Sequence, residues 1–506
     1  MTMLNEFKDK RVTVMGLGLF GGGGAIARFL AGNGAIVTVT DLKDEKKLAS
    51  SVEKLRGARV RFVLGRHDEK DFTDADVIIV NPAVPKESPY LRLAAERGVR
   101  LETEMNLFFK LCPAAIVGIT GSNGKTTTTT LTGEMLKALG TQTQARGSDA
   151  GRTGTVPITE RRRAQRDPLV DGDCPPPERS SPNPRVYVGG NIGSPLIERV
   201  GEIKKGDLVV LELSSFQLED LRAVGRSPHV AVVTNIAPNH LDRHKTMENY
   251  VAAKKAIIDY QTGDDYCVLN ALDETLNGWA ATARARVLKF SSRGKVEQGT
   301  FLDGNTLRYA INGKDGEICG RDDILLPGIF NVENYLAASA AAIVMGVKPE
   351  AIREVARTFR GVPHRLEMFF EKNGVRYYND SIATTPESVI AALDALKGTI
   401  VLIAGGYDKK VSLAEVSRKI AQRCKAVVLI GVITPQIKAE LLKPENKTGL
   451  KIFEEGTDFD AAVKRAISLA EPGGCVLLSP TTASYDMFTN FEERGEKFKS
   501  LVQTLA

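Results

Sequence analysis

Residues 117–130, with the sequence VGITGSNGKTTTTT, contain an apolar strand, a glycine-rich turn and the start of a predicted helix. Gly121 and Gly124 permit backbone angles and close approaches that a side chain would block. Amide hydrogens in such a turn converge on one point, and the following helix N-terminus carries partial positive charge. A lysine and a threonine come next, suited to phosphate and Mg²⁺. We therefore predict a nucleotide site formed by Gly121, Ser122, Asn123, Gly124, Lys125, Thr126 and Thr127.

This turn departs from the usual phosphate-loop spacing at one position. Ile119 stands where the first glycine of G-x-x-x-x-G-K-[ST] belongs. The alternative interpretation is a loop that contains Gly-Lys-Thr by chance. The apolar strand before the turn and the helix-compatible sequence after it favour nucleotide binding.

Bulk properties place the chain among ordinary globular proteins. It has 506 residues, 42% of them hydrophobic, and a net charge of +6; this length suggests about three domains. We expect no nucleic-acid partner, because no long Lys/Arg block occurs, and no membrane association, because no apolar run is long enough. The N-terminus lacks an apolar signal core. Six dispersed cysteines predict neither disulfides nor a zinc site, so a cytoplasmic protein is expected.

The N-terminal segment has the pattern of a Rossmann-like unit. A strand at 11–15 leads into Gly16, Gly18 and Gly21, in G-x-G-x-x-G spacing, then a helix at about 24–31. A second strand at 35–40 ends at Asp41, near where a ribose hydroxyl would need an acid. The pattern leaves three alternatives open: an NAD site, a site for another nucleotide, or a tight strand–helix turn.

The rest of the chain predicts two further α/β domains. In the middle domain, a helix at 126–139 is followed by residues 141–185, rich in Arg, Pro, Ser and Gly, which predict a flexible surface insertion of unassigned function. Strands at 208–213 and 230–236 indicate a parallel sheet. The third segment has strands at 375–379, 400–404, 426–430 and 475–478, which predict an all-parallel Rossmann-like fold. The predicted domains are 1–110, 111–360 and 361–506.

Polar residues follow the middle-domain strands. Glu212 lies at a strand tip facing the phosphate loop, where a carboxylate is placed to hold Mg²⁺. The next strand brings His240, Asp242 and His244 to the same edge. These three residues suggest either one histidine ligand beside a structural histidine, or a hydrolytic metal cluster. Lys254 lies in a helical passage, and its default interpretation is a solvated surface charge.

Taken in order, the motifs resemble those of the Mur ligase family. They are MGLGLFG, GITGSNGKTTT, GGNIG, ELSSFQLE, NHLDRH, AAKKAI, GVPHRLE, NDSIATTP and SPTTASYDMFTNFEERG, and they span the chain except residues 141–185. Within the family, SSFQL and FTNFEERG resemble the branch that adds D-glutamate.

This resemblance implies three α/β domains, the outer two Rossmann-like and the central one a phosphate-loop ATPase type with a mostly parallel sheet. It also implies ATP-dependent amide-bond formation between UDP-N-acetylmuramoyl-L-alanine and D-glutamate through an acyl phosphate. That reaction belongs to cytoplasmic peptidoglycan precursor synthesis, and hence to cell-wall growth, shape and division. The implied cofactors are ATP, two Mg²⁺ ions and a carbamylated Lys254. The implied enzyme is a monomer.

The resemblance also assigns roles to individual residues. The implied catalytic residues are Lys125, Glu212, His240 and Lys254, and the implied metal ligands are Thr126, Glu212, His240 and Lys254. The nucleotide is held by the phosphate loop and by Asn331, Asn334, Arg365 and Asp380. The substrate-binding residues are Leu19, Phe20, Asp41, Asn191, Ser214, Gln217, Lys409, Ser484, Tyr485 and Phe491.

Two positions differ from the family pattern. Phe330 stands where many members have histidine, and Ile382 where some have lysine. A second cation for D-glutamate is therefore either missing or supplied elsewhere. The competing hypotheses are an NAD-dependent oxidoreductase that uses the N-terminal glycine pattern and a nucleotide-binding homologue without activity.

Overall fold

The computed structural model of the protein describes residues 4–18, 21–148, 183–193, 195–409, 411–446 and 448–506. Leu19 and Phe20 of the predicted UDP site, and residues 149–182 of the predicted insertion, lie outside the described residues. No helix within the described ranges is long and apolar enough to cross a membrane.

The first sheet has five parallel strands in the order β3-β2-β1-β4-β5. Its strands are β1 Arg11–Met15, β2 Ile36–Asp41, β3 Val60–Leu64, β4 Val77–Val80 and β5 Arg100–Glu102. The accompanying helices are α1 Gly22–Gly32, α2 Glu45–Glu53, α3 Lys70–Thr73, α4 Pro89–Glu96 and α5 Glu104–Leu111. The glycine turn after β1 and the alternation of strands and helices give the predicted Rossmann-like unit.

The second sheet has nine strands in the order β14-β13-β12-β11-β10-β9-β6-β8-β7. Its strands are β6 Ala115–Thr120, β7 Val186–Gly190, β8 Leu208–Glu212, β9 Val230–Val233, β10 Tyr266–Asn270, β11 Arg286–Ser291, β12 Gly299–Asp303, β13 Thr306–Ile311 and β14 Lys314–Gly320. The helices here are α6 Lys125–Ser148, α7 Ser215–Leu221, α8 Leu241–His244, α9 Met247–Asp259, α10 Glu274–Ala280, α11 Ile329–Val344 and α12 Pro349–Thr358. The pairings from β7 to β12 are parallel, and β13 and β14 add an antiparallel edge.

The third sheet has six strands in the order β15-β16-β20-β17-β18-β19. Its strands are β15 Glu367–Lys372, β16 Val375–Asn379, β17 Ile400–Gly405, β18 Cys424–Ile430, β19 Lys451–Glu454 and β20 Cys475–Thr481. The helices are α13 Pro386–Ala395, α14 Ala414–Arg423, α15 Thr434–Leu441, α16 Phe459–Leu469 and α17 Phe491–Leu505. The expectation of an all-parallel sheet is wrong at one edge, because β15 pairs antiparallel with β16. A short hairpin can place an antiparallel strand there without a crossover helix.

The described residues form two compact units. One comprises Met1–Arg321 and Glu333–Val355, and the other Asp322–Val332 and Ala356–Ala506. The first unit contains both N-terminal sheets, whose apolar residues share one buried cluster. Lys86 also forms ion pairs of 3.0 Å with Glu219 and Asp220. A shared core fixes the strand ends of these two sheets against each other, since each buried large side chain contributes about 1.5–3 kcal/mol.

The start of the predicted insertion differs from the expectation. Helix α6 continues to Ser148, so the predicted end of this helix at residue 139 is wrong. The chain there, TQTQARGS, contains one glycine and no proline, and it follows a helix that is already nucleated, which makes extension easy.

Candidate active site

The loop between β6 and α6 has the geometry of a phosphate cradle. Gly121 has φ of 146° and Gly124 has φ of 82°, in regions that L side chains rarely adopt. A Cβ at Gly121 would lie 1.9 Å from Thr234 Oγ1, and one at Gly124 would lie 2.4 Å from Asn334 Oδ1. Both glycines are therefore required by the loop, although the first glycine of the usual pattern is replaced by Ile119.

The loop is held in place by the chain that follows β9. The Ser122 amide donates to Asn235 O over 2.9 Å, and the Asn123 amide donates to Asn235 Oδ1 over 2.9 Å. Ser122 Oγ accepts from the Ala237 amide at 2.8 Å and lies 2.9 Å from the Tyr250 hydroxyl. These contacts fix the loop conformation and occupy the Ser122 and Asn123 amides, so an anion would be bound by the amides that follow at the start of α6.

Lys125 lies at the first position of α6 and curves back over the loop. Its Nζ donates to Ser122 O over 3.0 Å. Thr126 and Thr127 follow on the first turn, where the helix dipole favours negative charge. This is the arrangement expected for a phosphate-binding loop.

We predict that Gly121→Ala weakens binding of ATP with magnesium by at least about tenfold, because the added Cβ would collide with Thr234 and the positive φ would be strained. Gly278→Ala is the matched control, since Gly278 lies in α10 and an added Cβ there meets no described atom within 4 Å. Calorimetry on both folded variants measures the effect. Unchanged affinity in the Gly121 variant would show that the loop does not contact the nucleotide.

Glu212 lies at the end of β8, buried beside the loop. One carboxylate oxygen, Oε1, accepts from Asn191 Nδ2 over 3.0 Å. The other, Oε2, is buried and has no hydrogen-bond partner among the described residues. Such an oxygen is costly to leave unsatisfied, and carboxylate oxygens are preferred ligands of Mg²⁺. The site therefore fits a magnesium ion at Glu212.

Lys254 is buried, so its default interpretation as a surface charge is wrong; the side chain is 2% exposed. Its Nζ donates to Gly121 O over 2.8 Å and to Thr120 Oγ1 over 3.2 Å, and lies 4.9 Å from the centre of the Tyr250 ring. Burial, and secondarily the positive charge of Lys125, hold the pKa of Lys254 well below its ordinary value. A lysine of lowered pKa is more often an uncharged, nucleophilic amine.

The two histidines after β9 have different environments. His244 is buried, with Nε2 2.9 Å from Ser215 Oγ and its ring stacked on Phe216, so it is the structural histidine. His240 is exposed and has φ of 53°, with its ring edge-on to Phe216 at 5.1 Å. The Asp242 side chain lies outside the described positions. No group of three potential His, Cys, Asp or Glu metal ligands occurs among the described residues.

Besides Asn191, which donates to Glu212, three predicted substrate residues of the first unit have identifiable structural contacts. Ser214 and Gln217 form a capping box at the start of α7, with the Ser214 amide donating to Gln217 Oε1 over 3.0 Å. Asp41 Oδ2 accepts from the amides of Leu17 and Gly18 at 3.0 and 3.2 Å. The Asp41 carboxylate thus organises the N-terminal glycine turn. Substrate contacts of these three residues remain predictions.

The second unit contains several residues that the resemblance assigned to the nucleotide. Asp380 is buried at the end of β16, where Oδ1 accepts from the Leu366 amide at 3.0 Å and Oδ2 from Ser479 Oγ at 2.8 Å. Burial raises the pKa of Asp380 to about 7, against the opposing effect of these hydrogen bonds.

The other residues assigned to the nucleotide have separate environments. Arg365 Nε is buried without a partner among the described residues. Asn331 donates to Pro327 O, whereas Asn334 belongs to the first unit and contacts Thr128 there.

The residues predicted to bind the amino acid lie at the carboxyl edge of the third sheet. Lys409 Nζ donates to Thr384 O over 3.1 Å. Ser484 is buried, Tyr485 is 66% exposed, and the Phe491 ring lies edge-on to His364 at 5.9 Å. In doubly wound sheets this edge is where ligands bind. The structure thus brings these four residues to one edge of one sheet.

Tyr250 and Asn235 are contacts of the loop that the sequence reasoning missed. Tyr250 lies four residues before Lys254 on α9, so the two share a helix face. That spacing is a signal that could have identified Tyr250 once Lys254 was known to be buried. Asn235 gave no such signal, because its contact depends on the path of the chain after β9.

These features define a nucleotide-dependent α/β enzyme: the phosphate loop, the unpartnered carboxylate oxygen of Glu212 and the three sheets. Family models match the chain as "Mur ligase MurD-like, N-terminal domain" at 10–102, "Mur ligase middle domain" at 119–342 and "Mur ligase, glutamate ligase domain" at 364–482. The chain belongs to the Mur ligase family, whose members are ATP-dependent ligases.

Individual relatives agree with this membership. Proteins named UDP-N-acetylmuramoylalanine–D-glutamate ligase from Acetivibrio thermocellus and Roseiflexus sp. are 39% and 41% identical over 511 and 512 residues. The alignments cover 100% and 99% of this chain, and 99% of each relative. The solved UDP-N-acetylmuramate–alanine ligase MurC of Thermotoga maritima is 17% identical with a TM-score of 0.57, covering 98% of this chain and 99% of that one.

A second solved structure shows the same fold. MurF ligase of Thermotoga maritima in complex with ADP is 17% identical with a TM-score of 0.53, and the match covers 100% of this chain and 98% of that one. The oxidoreductase hypothesis is not favoured by any of these similarities.

Proposed function

We propose that the protein joins D-glutamate to the carboxylate of UDP-N-acetylmuramoyl-L-alanine and converts ATP to ADP and phosphate in the process. The observation that carries this proposal is the preformed phosphate loop with Lys125 on it and the unpartnered oxygen of Glu212 beside it. The relatives of about 40% identity support the choice of substrates.

The chemistry requires activation of a carboxylate, because joining it to an amine in water is unfavourable. The terminal phosphoryl group of ATP is transferred to the substrate carboxylate, which becomes an acyl phosphate. The amine of D-glutamate attacks the acyl carbon, and the tetrahedral intermediate expels phosphate. Lys125 and the loop amides neutralise the charge on the transferring group, which is the largest contribution expected from protein residues.

The metal would be held by residues of the first unit. Thr126, Glu212 and His240 are the side chains that would hold Mg²⁺, which would supply positive charge to the phosphates. We also propose that Lys254 carries a carbamate and that this group holds a second ion. The neutral amine that burial favours at Lys254 is the form that reacts with CO₂.

In the second unit, Arg365 and Asp380 would contact the nucleotide, and Lys409, Ser484, Tyr485 and Phe491 the amino acid. The exposed ammonium of Lys409 suits a carboxylate of D-glutamate. We propose that the protein is cytoplasmic and monomeric. Sedimentation at several protein concentrations would measure its oligomeric state.

The test is a phosphate-release assay with ATP, Mg²⁺, UDP-N-acetylmuramoyl-L-alanine and each of several amino acids. We expect release that requires both substrates and that is fastest with D-glutamate. L-glutamate, D-alanine and meso-diaminopimelate serve as comparisons, and mass spectrometry identifies the product. Release with another amino acid would change the acceptor, and ATP binding without product would support the inactive homologue.

A further inference from the structure

Arg494 in α17 is the most deeply buried cation of the second unit, with 0% of the residue exposed. Its Nε donates to Ser381 Oγ over 3.0 Å, and its Nη2 donates to Ser381 O over 2.8 Å. Both Nη atoms lie 3.5 Å from Thr482 O. The guanidinium therefore joins the turn after β16 to the turn after β20.

No carboxylate among the described residues forms an ion pair with Arg494. The acid that influences it is Asp486, whose Oδ2 accepts from the Val432 amide over 3.1 Å. Burial lowers the pKa of Arg494 to about 10, and the side chain stays charged at neutral pH. A buried charge without a counterion is destabilising, so its presence requires an explanation.

The surroundings of Arg494 add positive charge and unsatisfied groups. Desolvation lowers the pKa of Lys409, and the positive charge of Arg494 lowers it further. The hydroxyls of Thr481 and Thr482 are buried without partners among the described residues. Thr481 also has φ of 75°, which is strained for a β-branched residue. Strain and unsatisfied groups of this kind concentrate at binding sites.

We propose that Arg494 is a positioning residue for the amino-acid substrate, because it fixes the turn after β16 and the turn after β20 that leads to Ser484 and Tyr485. This inference rests on the proposed function. Arg494 is fully buried, so it acts through the potential it adds to Lys409 and through the two turns that it fixes. Ile382 and Ala383 bring no charge to the first of these turns. Arg494 and Lys409 therefore both add positive charge to this edge, which favours an amino acid with two carboxylates.

The experiment compares R494M with the control K499M. Lys499 lies on the same helix but is paired with Glu367 at 3.0 Å and Glu496 at 3.2 Å. We expect R494M to raise KM for D-glutamate by about tenfold, with KM for ATP and for the UDP substrate changed less than about twofold. R494K keeps the charge and should restore most of the affinity, whereas K499M should leave all three constants near the wild-type values.

An unchanged KM for D-glutamate in folded R494M, or an equal rise in all three constants, would overturn the inference. Should R494M fail to fold, R494Q decides: glutarate should raise the Tm of the wild-type protein more than butyrate at equal ionic strength, because only glutarate has a second carboxylate, and R494Q should lose most of that difference. Equal shifts would overturn the inference. The Tm comparison needs no turnover, so it stands even if the wild-type enzyme makes no product and the proposed function fails.

Discussion

Lys125→Ala is expected to lower kcat by about 10²–10³-fold, a barrier increase of roughly 3 kcal/mol. The Lys125 ammonium lies over the loop, where its Nζ donates to Ser122 O. Its charge is therefore already oriented toward the position where negative charge develops, and alanine removes it without a substitute. Single-turnover phosphate release measures the loss.

Lys137→Ala is the matched control for this substitution. Lys137 lies on the same helix, is exposed, and pairs with Glu134 over 2.7 Å. Its loss should leave kcat near the wild-type value, since exposed pairs of this kind contribute about 0–1 kcal/mol to stability. Near-normal turnover in Lys125→Ala would remove this lysine from the mechanism.

Lys254→Ala should be inactive, and added acetate or formate should restore much of its activity. The substitution leaves a cavity where the buried side chain lay against Gly121 and Thr120. A small carboxylate that enters this cavity would replace the oxygens of a carbamate. Activity measured against increasing acetate concentration, at constant ionic strength, tests this expectation.

Lys255→Ala separates a specific rescue from a general salt effect. Lys255 is the next residue on α9 and is partly exposed. Acetate should not change the activity of this variant. An inactive Lys254→Ala that acetate does not restore would leave the carbamate unsupported, and an active one would refute it.

The local features of the fold could be predicted from the sequence because strand and loop signals are short-range. Strands β1 and β16 have the predicted bounds, and the phosphate loop lies where its glycines indicated. The antiparallel strands β13 to β15 were not anticipated, because their mixed polar and apolar sequences lack the continuous apolar runs of buried parallel strands.

The site was harder to predict, because burial and partners depend on distant parts of the chain. Nothing local distinguishes Lys254 from its neighbour Lys255, yet only Lys254 packs against the phosphate loop. Likewise, the sequence of α17 gives no indication that Arg494 is enclosed by two turns more than ten residues upstream of it in the chain. Ser214 and Gln217 show the converse, since their three-residue spacing is a helix-capping signal.

Asn235, Ala237 and Tyr250 anchor the phosphate loop through hydrogen bonds within the protein, so we expect the loop to be a rigid receptor. Binding then involves little loss of backbone freedom, so affinity depends on how closely a ligand matches the existing shape. A compound that imitates the triphosphate with fixed geometry should gain more here than a flexible one. Enlarging the loop to accept bulkier groups would require changing its anchors as well as its glycines.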